Sequence, residues 1–88
     1  NTQMPMDFLL QQIELRESLD EIHLAQDPEA KIDVMSALLK HQASQLEDEF
    51  AQAYQASDLA VAETAVRKLQ FIVKLQQQLD ALEGVLLD

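Results

Sequence analysis

Residues 26–58, QDPEAKIDVMSALLKHQASQLEDEFAQAYQASD, decide the fold. Asp27 is a good N-cap, and Pro28 fits the first helical position, where its missing N–H leaves no bond unmade. Ser57 and Asp58 are the next break, and either suits the cap of a following helix. Between the breaks the chain turns about 100° per residue if helical. Ile32, Met35, Leu39, Ala43, Leu46, Phe50 and Ala53 then fall on one side, as an amphipathic core stripe. The spacing predicts a helix over about 28–56.

The same reading extends outward. Pro5 suits the first turn of a preceding helix over about 5–25, in which Phe8, Leu15, Leu19 and Ile22 line up within about 60°. A third helix is expected over about 58–87, fraying near Gly84. Its stripe is Val61, Ala65, Ile72, Leu75, Leu79, Leu82 and Leu86. Short connections make antiparallel neighbours, and three stripes can close on one another. The expected fold is all-α, an antiparallel three-helix bundle forming a single domain over 1–88.

Composition agrees with helices and narrows function. One Gly and two Pro leave little turn material in 88 residues. No cysteine is present, which removes disulfides and thiolate metal sites. Sixteen acids against six bases give a net charge of −10. That field repels phosphate backbones and anionic membranes, so neither nucleic acid nor membrane is an expected partner. It steers in a basic partner, although solubility alone also accounts for it. No apolar run approaches the roughly 18–20 residues of a membrane span.

Helix one carries a second apolar face. Met6, Leu9, Leu10 and Ile13 lie roughly opposite its core stripe, bordered by Glu14, Arg16, Glu17, Asp20 and Glu21. An apolar patch with a charged rim is the anatomy of a binding surface. The competing reading packs this face on helix three, on a second copy or on another domain. Phe71 lies about 70° from the middle of the helix-three stripe. It is either a core-edge aromatic beside helix one, suited to anchor a partner, or a buried core residue.

Two motifs now resemble a known family. Phe8-Leu9-Leu10-Gln11-Gln12-Ile13-Glu14-Leu15-Arg16-Glu17-Ser18-Leu19-Asp20-Glu21-Ile22 resembles the first helix of the C-terminal domain of HscB-type J-protein co-chaperones of iron–sulfur cluster assembly. Ala65-Val66-Arg67-Lys68-Leu69-Gln70-Phe71-Ile72-Val73-Lys74-Leu75 resembles that domain's last helix. The resemblance implies a three-helix bundle that binds the scaffold protein on which clusters are built, of the IscU type. It implies apolar contacts at Leu9, Leu10 and Ile13, polar contacts at Glu14, Arg16, Glu17 and Glu21, and an aromatic contact at Phe71. Leu10 and Ile13 stand where the family often has other large apolar residues, and Ser18 where relatives can be acidic. The chain has no His-Pro-Asp tripeptide, the mark of the J domain that stimulates the ATPase of an HscA-type heat-shock chaperone. It begins at Asn1 without an initiator Met, so a fragment holding only the scaffold-binding half is expected, unable to activate that ATPase.

Other functions fit less well. Leu15–Ile22 also resembles the opening helix of small all-helical chorismate mutases, which hold a dianion with several Arg and Lys. Helix two offers only Lys31 and Lys40, and an oxyanion site is hard to build in so acidic a chain. No enzyme activity is expected. Asp20 and His23 share a face, but no helix supplies the Glu and Glu-x-x-His set of di-iron bundles, so neither metal nor cofactor is expected. Ser36, Ser44 and Ser57 read as surface or capping residues, and Tyr54 as a half-buried tether. A homo-oligomer paired through helix one is a third possibility. The expected location is the bacterial cytoplasm, with the mitochondrial matrix left open.

Overall fold

The computed structural model describes residues 4–87, and the ends of the expected 1–88 domain, residues 1–3 and 88, lie outside them. Three α-helices follow in order: α1 (Met6–Glu21), α2 (Pro28–Gln55) and α3 (Leu59–Leu86), with a 3₁₀ turn over Ile22–Leu24. They pack as a three-helix bundle, and no strand occurs among the described residues.

The helix ends follow from local chemistry. Pro5 lies one position before the predicted first turn: it is the N-cap of α1, and its carbonyl accepts from the Leu9 N–H at 3.1 Å. The expected helix over 5–25 ends earlier, at Glu21, and tightens into 3₁₀ geometry before Ala25 turns extended. The cause is downstream. Asp27 caps α2 by accepting from the Ala30 N–H at 3.1 Å, and Pro28 cannot continue an incoming helix. At the other break Ser57 N–H donates to Tyr54 O and Asp58 N–H donates to Ala53 O, which closes α2 in a Schellman motif. Asp58 then caps α3 through the Val61 N–H at 3.3 Å. α3 continues through Gly84 to Leu86, without the expected fraying.

Ser57 carries the strain of this tight reversal, at φ 60°, where glycine is the usual occupant. Ser57→Gly is therefore expected to stabilise the chain. Left-handed backbone costs a side-chain-bearing residue about 1–2 kcal/mol, part of which the greater unfolded freedom of glycine cancels. The net gain is about 0.5–1 kcal/mol, readable as a rise of a few degrees in thermal unfolding. An unchanged or lower midpoint would show that Ser57 is unstrained there.

α1 is much shorter than its neighbours, and this sets the core. Its 16 residues span about 24 Å, against about 42 Å for the 28-residue α2 and α3. Leu15, Leu19 and Ile22 meet Ile32, Met35, Leu39, Leu46, Ile72, Leu75 and Leu79 in one cluster. Nearer the 56–58 turn, Ala53, Ala62 and Ala65 are buried where α2 and α3 face each other. Two predicted core residues are corrected there. Phe50 and Val61 are 37% and 40% exposed, because α1 does not reach far enough to cover them. Phe50 stacks instead on Tyr54 at 5.9 Å, and Tyr54 is largely exposed rather than a half-buried tether. Among the described residues no helix is long and apolar enough to cross a membrane.

Candidate docking groove

The site begins with Phe8, the first core residue of α1. Its ring meets Phe71 of α3 edge to face, with centroids 6.0 Å apart, and the Lys68 ammonium sits 5.5 Å above it. Both geometries are attractive, and together they pin the start of α1 against α3. With Phe8 turned inward, Leu9 is carried one residue further round the helix to face Phe71 from the side. Ile13 follows on the same face, four residues later. An open groove of about 300 Å³ results, lined by Leu9, Gln12, Ile13 and Phe71 with Arg16, Glu17 and Asp20. Phe71 is half-buried, the core-edge alternative of its two sequence readings. It also walls a second open groove along α3, with Val66, Gln70 and Val73.

The structure thus brings Leu9, Ile13, Arg16, Glu17 and Phe71 together. It does not bring all the expected site residues into that groove. Leu10 and Glu14 lie on the opposite flank of α1, in a groove shared with Phe8 and Lys68. Glu21 lies beyond them, beside Ser18, Leu24 and Lys31. A partner touching all eight residues must straddle α1. Ile13 and Leu10 are each 54% exposed, which is the unpartnered apolar face expected of helix one. Arg16 forms no ion pair with any described residue, whereas Arg67 pairs with Glu63 at 3.1 Å on α3. Among the described residues no group of three or more His, Cys, Asp or Glu is placed to hold a metal ion.

Gln12 was missed by the sequence reading. It is buried, at 8% exposure, and its Nε2 has no hydrogen-bond partner. The signal was present, because Gln12 occupies the gap in the stripe between Phe8 and Leu15, at the spacing where another apolar residue belongs.

Comparison with known proteins gives a single family. Residues 4–80 match the family described as the HSCB C-terminal oligomerisation domain. The chain is 39% identical over 84 residues to a co-chaperone protein HscB homolog of Shewanella baltica, covering 92% of this chain and 48% of that protein. A Photobacterium profundum homolog of the same name is 42% identical over 86 residues, covering 93% and 48%. One from Vibrio cholerae is 37% identical over 89 residues, covering 97% and 49%. The chain spans about half the length of the curated relatives it matches. No solved structure matches it.

Proposed function

Since this chain belongs to the HscB C-terminal domain family, we propose that it is the scaffold-binding module of a co-chaperone, docking an IscU-type iron–sulfur scaffold protein in the groove between α1 and α3. The observation that carries the reading is the meeting of Leu9 and Ile13 with Phe71, apolar side chains that the core leaves partly or largely in water. A large aromatic flanked by aliphatic residues is the usual centre of a binding hot spot, and Arg16, Glu17 and Asp20 supply the polar rim. Burying each apolar contact contributes roughly 1.5–3 kcal/mol before the cost of association. The acidic surface favours a basic face on the scaffold and mainly sets approach and register. In the whole protein, a J domain would present the docked scaffold to an HscA-type heat-shock chaperone. The module itself binds and positions; it performs no chemistry.

Calorimetric titration with purified IscU-type scaffold tests this reading. Saturable one-to-one binding, weakened by salt, is expected. Absence of binding to the folded chain would reject it. A second reading, self-association, draws on the oligomerisation named in the family's description. Mass in solution at rising concentration tests it: a constant mass rejects self-association, and a rising mass establishes it without by itself excluding scaffold docking.

A further inference from the structure

Gln12 shares a face with Phe8, Leu15 and Leu19, at i−4, i+3 and i+7. A Leu or Met there would lengthen the core by a turn. Gln12 as a whole is instead more than nine-tenths buried, and its Nε2 is closed off without a partner. An enclosed, unpaired amide donor costs free energy that an apolar residue of equal length does not. The free domain therefore bears this penalty. Gln42 has a similarly enclosed Oε1, but it lines none of the grooves described above. Gln12 differs in that it forms part of the groove wall, between Leu9, Ile13 and Phe71.

We propose, resting on the reading of this groove as the scaffold's docking site, that Gln12 is its specificity-determining residue. Its carboxamide pairs with a free main-chain N–H and C=O on the docking segment, beside the apolar contacts of Leu9, Ile13 and Phe71. The amino end is closed off in the free domain, so turning it to the groove mouth costs packing that the main-chain hydrogen bonds of the docking segment repay. The segment that fits is a loop, helix end or edge strand carrying an apolar side chain. A helix interior does not fit, because its main-chain groups are already paired. A segment with apolar groups alone would leave the amide unpaired beneath it, so the penalty of the free domain becomes discrimination in the complex.

Gln12→Met tests this, with thermal unfolding and titration against purified IscU-type scaffold measured on the same variant. The midpoint is expected to rise by on the order of 5 °C as the unpaired amide is removed. Affinity is expected to fall about ten-fold. These opposite signs cannot come from simple loosening of α1. A more stable variant with unchanged affinity overturns the proposal while leaving the docking reading in place, provided that Leu9→Ala still weakens binding. A variant that loses both stability and affinity marks Gln12 as a packing residue and overturns it as well. A wild-type chain that does not bind the scaffold removes the docking reading and this inference together.

Discussion

Replacing Leu9 and Ile13 together with alanine is expected to weaken scaffold binding by about two to three orders of magnitude. Ile13 is 54% exposed and Leu9 half-buried, and neither belongs to the core cluster, so the fold has little to lose. The complex has much to lose. Each truncation removes about three carbons, worth roughly 2 kcal/mol where water is fully excluded. Two such losses amount to about 3–4 kcal/mol once incomplete desolvation is allowed for. Alanine is also the better helix former, so far-ultraviolet circular dichroism should not change. Phe71→Ala should weaken binding too, but it also removes the ring against which Phe8 packs, and so loosens α1. The double variant is the cleaner test for that reason. Titration that finds affinity within about threefold of the parent chain would remove this face from the interface.

Leu39→Ala is expected to be the most damaging of the core truncations, costing about 2–5 kcal/mol. Leu39 is 0% exposed and lies in the cluster where all three helices meet. A domain of this size has only about 5–10 kcal/mol in total, so the thermal midpoint should fall by roughly 10–30 °C. Its neighbour is the control. Leu38 is 41% exposed, and Leu38→Ala should cost under about 1 kcal/mol. The two substitutions are chemically identical and one residue apart, so only the rotational register of α2 distinguishes them. Comparable losses in the two thermal scans would contradict that register.

The register itself was legible in advance. Ile32, Met35, Leu39 and Leu46 were placed on the core side by their spacing alone, and all four are buried. Both breaks were legible for a related reason. Asp27, Pro28 and Asp58 act through their own backbone and the next turn, so their effect is written within a few residues. The unpartnered face of α1 is also a local matter, because it follows from the angular positions of Leu10 and Ile13.

What remained depended on residues far apart in the chain. Phe50 and Val61 have the spacing of core residues and are nonetheless exposed, because covering them requires a third helix longer than α1. Phe71 had two readings until the crossing of α1 over α3 set it edge to face with Phe8 and beside Leu9. Leu10, Glu14 and Glu21 share a helix with Leu9 and Ile13, yet they lie on other flanks of α1. Gln12 fills a visible gap in the α1 stripe, but the enclosure of its unpaired amide follows from the neighbours that close around it. Capping and periodicity act within a few turns, so the helices, their order and the face each turns inward are written locally along the chain. Which surfaces meet is settled at longer range, since a groove between α1 and α3 depends on how far one helix reaches along another, and no local interaction encodes that distance.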